Sequence, residues 1–439
     1  MKVNLEKLRT QLQKVDPVRS FGRVKRVIGG MIEGKGLNLS IGDLCEIHSQ
    51  SEDRFILAEA VGFRDDNIFL MPLGELRGIS PGCLFEKSKG MAKVSVGPQL
   101  LGRVLNEFGQ PIDNKGPLVC DERRPFYRFS SNPLKRIPIR EPLLTGVRAI
   151  DGVLTCGKGQ RLGIFAGSGV GKSVLMGMLA RNTSADVNVI AMIGERGREI
   201  REFIENNLKE EGLKRSVIVA VPSDRPPMAR IYAALAATSI SEYFCEQGKD
   251  VMLMMDSSTR VAMALREVGL GMGEAPTSRG YTPSVFTFLP KLLERSGNFE
   301  TGSITAFYTV LVEGDDMDEP VADTMRSILD GHIVLSRKIA SQNHFPAIDI
   351  LQSISRCMTD VTSIAHRKSA NRLKELLAIY HDTEDLIKVG AYVKGNQSKV
   401  DEAISKIDRI NSFLMQGIEE KMEFKNCLQQ MADLSNEKI

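Results

Sequence analysis

Ala166-Gly167-Ser168-Gly169-Val170-Gly171-Lys172-Ser173 closes an apolar run, Arg161-Leu162-Gly163-Ile164-Phe165, and opens a helical pattern, Val174-Leu175-Met176-Gly177-Met178-Leu179-Ala180. Strand, glycine-rich turn and helix form the setting that a phosphate-binding loop requires. The glycines let the chain wrap so that successive backbone N–H groups face an anion. The new helix adds its positive dipole end and its unpaired donors. Lys172 supplies charge for the β- and γ-phosphates, and the Ser173 hydroxyl suits Mg²⁺. Residues 166–174, ending at Val174, are therefore the expected nucleotide cradle. The strict pattern opens on glycine where this chain has Ala166; one methyl is tolerated there provided φ is negative. An ordinary glycine-rich turn does not need Gly-Lys-Ser ahead of a helix. The expectation is a chain that binds a nucleoside triphosphate.

The 439 residues are 42% hydrophobic and 26% charged, the composition of a soluble globular protein of two or three domains. A net charge of +3 gives no broad nucleic-acid footprint, and no nucleic-acid partner is expected. Seven cysteines stand without C-x-x-C spacing, which reads as free thiols in a reducing compartment. The five histidines form no H-x-x-x-H pair. Met1-Lys2-Val3-Asn4-Leu5-Glu6 lacks the apolar core of a signal peptide. No run approaches the roughly 18 apolar residues of a membrane span. A cytoplasmic location is the expectation.

Along the chain, Leu5, Leu8, Leu12 and Val15 mark one apolar stripe on a short helix, residues 1–20, marginal alone and suited to docking on its own domain or on a partner. Residues 21–95 predict a small β-barrel, with strands at 23–28, 43–48, 55–63 and 67–70 separated by turn signals that include Gly34 and Gly36. Residues 121–145, punctuated by Pro125, Pro133, Pro138 and Pro142, read as an extended connector. Strands at 187–193, 217–221, 251–255 and 303–312 alternate with helices at 200–209, 228–247 and near Ser327. Alternation of this kind means a mostly parallel sheet covered on both faces, with ligands beyond the carboxyl ends of its strands. After about Thr362 only helical stripes remain.

Val251-Met252-Leu253-Met254-Met255-Asp256 is a buried strand that would deliver Asp256 to the phosphate edge to hold Mg²⁺. Glu195, in Ile193-Gly194-Glu195-Arg196-Gly197-Arg198-Glu199, emerges where another strand meets the cleft and suits a carboxylate that orients attacking water. A solvated turn would use the same residues, and the residues alone leave both readings open. Arg196 is a natural partner for that carboxylate or for the γ-phosphate. Arg260 lies one helical turn beyond Asp256, where a plain surface arginine is the competing reading.

Pro346-Ala347-Ile348-Asp349-Ile350-Leu351-Gln352-Ser353-Ile354-Ser355-Arg356 resembles the motif shared by the α and β subunits of rotary ATPases. The order of barrel, core and helical tail matches that family over nearly the whole chain. Within it, the leading Ala166 of the loop, residues 312–320 (Val312-Glu313-Gly314-Asp315-Asp316-Met317-Asp318-Glu319-Pro320) and residues 327–337 are similar to the protein-export ATPases of type III secretion. Gly390-Ala391-Tyr392, Gly395 and Phe413-Leu414-Met415-Gln416-Gly417-Ile418 look more like the flagellar branch than the virulence branch.

The resemblance implies an α/β P-loop (RecA-like) ATPase core over residues 96–361, behind an N-terminal β-barrel and ahead of a C-terminal α-helical domain over 362–439. It implies that Glu195 is the catalytic carboxylate, and that Arg196 and Arg260 approach the γ-phosphate and Glu195. It implies that Arg356 is an arginine finger reaching into a neighbour's site, a device worth roughly 10³–10⁵ in rate. Phe345 falls where a relative places an aromatic against adenine, and Ile418 replaces a second aromatic. The implied assembly is a homohexamer using ATP and Mg²⁺, peripheral at the cytoplasmic face of an inner-membrane export apparatus. Its implied partners are a stator or negative regulator at the N-terminal helix, export-gate membrane proteins and chaperone–substrate complexes. The competing readings are a virulence-type export ATPase, the catalytic subunit of a rotary ATP synthase, an RNA-translocating ring helicase and a non-catalytic nucleotide-binding scaffold.

Overall fold

The structure is a computed structural model that describes residues 19–50, 54–88, 92–128, 133–312, 314 and 316–436. The expected N-terminal helix falls almost wholly outside the described residues. The chain divides into two compact units, the first running to Ala92 with Pro226–Met228 and Glu267–Glu274.

The first unit is built on a closed barrel of six strands: β1 (Gly22–Ile28), β2 (Met31–Lys35), β3 (Leu44–His48), β4 (Phe55–Arg64), β5 (Asn67–Pro72) and β6 (Leu84–Lys87), in the order β1-β2-β5-β4-β3-β6. Closure removes the free edges that an open sheet would expose. Two of these strands, β2 and β6, were not expected, and Gly34, read as a turn signal, lies inside β2. The reason is Phe85. Its buried ring fills the barrel so closely that a Cβ at Gly34 would stand 2.5 Å from it and one at Gly22 2.2 Å from it. Glycine here marks close packing within a strand, which a sequence shows in the same way as a turn.

The second unit carries a nine-stranded sheet. Its principal strands are β7 (Val104–Leu105), β8 (Arg161–Ala166), β9 (Val187–Glu195), β10 (Ser216–Pro222), β11 (Asp250–Asp256), β12 (Ser303–Leu311), β13 (Gly331–Leu335) and β14 (Ile348–Ser355). They lie in the order β14-β13-β8-β12-β11-β9-β10-β7, with Gly297–Asn298 pairing antiparallel on β12. The pairings from β7 to β13 are parallel. Only β14 among the principal strands runs against its neighbour. The central strands are apolar on both faces: β11 is buried from Val251 to Asp256 and β12 from Ser303 to Val310. That is the pattern a sheet covered by helices on both sides demands.

Two sequence expectations need correcting. Residues 331–335 and 348–355 were read for their resemblance and not as strands, yet they form the β13–β14 edge of the sheet. Residues 121–145 are not only a connector: Glu122–Pro125 pairs with Lys93–Val96, and Pro142–Leu143 pairs with Cys156–Gly157. These ladders are two-stranded and short because proline donates no ladder hydrogen bond and tolerates only edges.

Helix α1 (Lys172–Asn182) follows β8, α2 (Pro227–Glu246) precedes β11, and α3 (Ser258–Gly271) follows it. The tail is α4 (Ile364–Lys388), α5 (Ser398–Leu414) and α6 (Phe424–Ser435). The Ser363 side chain caps α4 by accepting from the His366 N–H at 3.1 Å. Leu373, Ile410, Phe413 and Met431 join the same apolar cluster as Ile150 and Ile164, so the tail packs directly on the sheet unit. Leu253 is wholly buried at the centre of β11. Leu253→Ala should therefore cost about 2–5 kcal/mol, read as a lowered urea midpoint for loss of the sheet unit.

Candidate nucleotide site

Because β8, β9, β11 and β12 are parallel, their carboxyl ends share one edge of the sheet. Ala166 ends β8, Glu195 ends β9, Asp256 ends β11 and Leu311 ends β12. A cleft of about 580 Å³ opens beyond that edge, lined by Gly167, Ser168, Gly169, Gly171, Lys172, Ser173, Val174, Glu195, Arg196 and Arg260. The loop has the geometry its residues predict. Gly169 and Gly171 take φ of 80° and 91°, conformations that a side chain would strain. Gly171 directly precedes α1, whose first turn leaves N–H groups without intrahelical partners. Ala166 is extended in β8, paired with Leu311 and Leu335, so its methyl sits in the core and leaves the loop undisturbed. Val170 is buried likewise. Both shape the loop from behind and do not line the cleft.

The floor of the cleft is a charge cluster. Lys172 Nζ donates to Asp256 Oδ1 at 2.5 Å and lies 3.6 Å from Glu195 Oε1. Thr309 Oγ1 donates to the same Asp256 oxygen at 2.7 Å, so Asp256, only 2% exposed, is fixed from two sides. Burial pulls Lys172 down, but the Asp256 and Glu195 carboxylates outweigh it and hold the ammonium above its ordinary range. Glu195 moves the other way for a carboxylate. Its burial, with Asp256 and Glu199 adding, outweighs Lys172 and raises it above the usual 4.5. Arg260 lies against the backbone of Gly194, where a Cβ would meet its Cγ at 3.0 Å. Gly194, with φ of 71°, lets that arginine pass behind Glu195. Arg196 is exposed at the cleft mouth, 3.5 Å from Glu199.

Two of the expected site residues lie elsewhere. Phe345 does not line the cleft, but its ring stands 3.6 Å from where a Gly171 Cβ would be, beside the loop and 41% exposed. The Phe345 carbonyl accepts from Gln416 N at 2.9 Å, and the Gln416 side chain donates to Gly146 O and accepts from Arg148 N, both at 2.8 Å. The Ile418 carbonyl accepts from Arg181, at the end of α1, at 2.7 Å. The tail loop is thus tied to the cradle at several points. Arg356 is remote. Gly331, the first residue of β13, pairs with Ser355, the last of β14, which sets Arg356 beside the start of β8, at the sheet edge opposite the phosphate loop. The strand steps from Arg161 to Ala166 separate the two edges by roughly 16 Å. Arg356 is exposed there.

Sequence reading missed Thr309 and Gln416, and the cleft-lining Ser223 and Ser257, as parts of this construction. Thr309 and Gln416 carry no local signal, since each acts through a partner far away in the chain. A second cavity, lined by Arg128, Glu242, Glu246 and Arg295 among others, has those four charges already paired with one another. Among the described residues, no helix is long and apolar enough to cross a membrane.

Comparison with known proteins agrees with this geometry. Residues 146–355 match the ATP synthase alpha/beta family, nucleotide-binding domain. Residues 24–86 match the β-barrel domain of the same family, and 362–433 match the T3SS EscN ATPase C-terminal domain. The flagellum-specific ATP synthase of Bacillus subtilis is 52% identical over 97% of both chains. The type 3 secretion system ATPase of Xanthomonas euvesicatoria is 48% identical over 95% of both. The assembled ATPase EscN from the enteropathogenic E. coli type III secretion system superposes with a TM-score of 0.90 at 43% identity, covering 94% of this chain and 100% of that one. EscN in complex with its central stalk EscO gives 0.87 over the same shares.

If Glu195 is the carboxylate that orients the attacking water, it must be ionised to do so and is lost as pH falls through its raised pKa, so the acid limb of kcat/KM for ATP hydrolysis should lie above 4.5. A pH–rate profile checks this, and a limb at or below that value contradicts it.

Proposed function

The chain belongs to the ATP synthase alpha/beta family, among its flagellum-specific and type 3 secretion members, and from that premise we propose that it is the ATPase of a flagellar type III export system, working as a homohexameric ring. Six sites lie between neighbouring protomers. One protomer cradles ATP with Lys172, Ser173 and the amides of the loop. Glu195 holds the attacking water in line and takes its proton as the water oxygen bonds to the γ-phosphorus and the bridging P–O bond breaks, releasing ADP. Arg260 supports that carboxylate, and Arg196 meets phosphate charge at the cleft mouth. Phe345, beside the loop, offers its ring to adenine, and Ile418 in place of a second aromatic makes that grip less specific. Arg356 of the next protomer meets the charge that develops on the transferring phosphoryl group.

One observation carries this reading: Lys172, Glu195 and Asp256 converge on one cleft while Arg356 stands exposed at the far edge of the same sheet. Charge balance favours it too. The cations Lys172, Arg196 and Arg260 face the carboxylates Glu195, Glu199 and Asp256. A triphosphate brings several further negative charges that this set does not offset, and a cation from outside the protomer answers that need. Mg²⁺ fits the same place. Ser173 and Asp256 are hard oxygen donors, and among the described residues no three His, Cys, Asp or Glu form a cage, which suits an ion held jointly with substrate phosphates. When bound, it neutralises phosphate charge.

Hydrolysis would drive the opening and closing of interfaces and so the release or unfolding of export substrates. The complex of EscN with its central stalk EscO supports a stalk-type partner for this ring. The first 20 residues would dock a stator or negative regulator. Export-gate membrane proteins and chaperone–substrate complexes would meet the ring at the cytoplasmic face of the membrane.

Glu195→Gln should retain ATP binding and lose roughly 10²–10⁴-fold in turnover; equilibrium binding beside steady-state hydrolysis checks it, and lost binding would remove Glu195 from the water-orienting role. Lys172→Ala and Arg356→Ala should each be inactive alone and recover when mixed. About a quarter of the interfaces in a random equimolar ring then hold one intact copy of each residue. Failure to recover in rings shown to be mixed places Arg356 outside the neighbour's site.

A further inference from the structure

We infer that Gln160 is a positioning residue for Arg356: its buried side-chain amide fixes the backbone from which that arginine is offered to the next protomer. The inference rests on the reading of Arg356 as the trigger in trans. Gln160 is wholly buried just ahead of β8, in a place where an apolar side chain would be the ordinary filler. Its amide is fully used. Nε2 donates to the Asp330 carbonyl at 2.9 Å and to Ser355 Oγ at 3.1 Å, and Oε1 accepts from Gly157 N at 2.9 Å. Two of these contacts, those to Asp330 and Ser355, bear on Arg356. The Asp330 carbonyl also accepts from Arg356 N at 3.0 Å. Ser355, the residue before Arg356, donates its hydroxyl proton to Thr155 O at 2.8 Å. Asp330 is itself immobilised, its carboxylate accepting from Arg161 N, Nε and Nη2 at 3.0, 3.0 and 3.1 Å. The exposed arginine therefore springs from a backbone held at Ser355 and at its own N–H by part-buried polar contacts that run back to the buried Gln160 amide, a connected network that restrains its members together.

A second consequence concerns coupling. Gln160 directly precedes Arg161, the first residue of the strand that ends in Ala166 and the phosphate loop. One short strand thus carries a protomer's own cradle at one end and the mount of its neighbour's trigger at the other. A displacement of β8 on nucleotide binding would move Arg356 in the adjoining site.

The test is Gln160→Met, which keeps the volume and removes both donors. Misplacement of a catalytic group by about 1 Å costs on the order of 10²-fold. The expected result is a fall of that size in kcat, with KM for ATP within about twofold of the parent value. The decisive readout is which side of the interface is damaged. Gln160→Met protomers have a sound cradle and a faulty trigger, so mixing with Lys172→Ala should restore turnover, and mixing with Arg356→Ala should not. Unchanged kcat overturns the inference. So does a failure to recover with Lys172→Ala where the Arg356→Ala and Lys172→Ala pair does recover. If that reference pair fails as well, the trans reading has failed and this inference falls with it. Thermal denaturation and ring size are measured on every variant. Should Gln160→Met not assemble, Ser355→Ala removes one hydroxyl from the same mount and must show the same side of damage, more weakly; a defect complemented by Arg356→Ala instead would overturn the proposal.

Discussion

Strand direction governs this protein. In a parallel sheet every carboxyl end lies on one edge, and the helix that follows each strand begins there. Four neighbouring strands therefore bring a glycine loop, two carboxylates and a threonine-held floor to one cleft without any of those residues being near in sequence. The reversal of β14 has an equal and opposite effect. Running against β13, it carries its last residues back to the amino-terminal edge and leaves Arg356 where no rotamer returns it to its own phosphate loop. On the proposed reading of Arg356, a complete site then takes two copies of the chain.

Within the cleft, electrostatics decide which group does what. Lys172 lies between Asp256 and Glu195, but the two carboxylates are not equivalent. Asp256 is held by both Lys172 and Thr309, at hydrogen-bonding distance. Glu195 is farther from the ammonium, half surrounded by other acids and raised by burial. The first arrangement suits a fixed ligand for charge. The second suits a base whose proton affinity is nearer to its working pH.

The helical tail belongs to the same construction. Its apolar side chains share a core with the sheet, and Gln416 ties the tail loop to Phe345 and to the segment that leads into the core. The wall beside the loop is assembled from three distant parts of the chain, which makes it sensitive to how the tail packs.

Much of this was legible in the residues. Ala166 through Ser173 between an apolar run and a helical pattern fixes both the fold of the core and its ligand class, because strand, tight turn and helix follow from local chemistry. The alternation after residue 187 gives the parallel sheet, and the hydrophobic run ending in Asp256 gives its acidic edge. Other features depended on contacts distant in the chain. Gly34 reads as a turn until the Phe85 ring is seen to fill the barrel against it. The strands at 331–335 and 348–355, the first short and the second the outermost of the sheet, have weak patterns of their own, recognisable in sequence only through their resemblance to a family. Thr309, Gln160 and Gln416 are ordinary polar residues in any one-dimensional reading; burial beside a partner far away in the chain gives them their work. Sequence determined what the local backbone could form and which chemical groups were available, whereas the tertiary structure alone decided which edge each group would occupy, because strand direction is a property of pairing and not of composition.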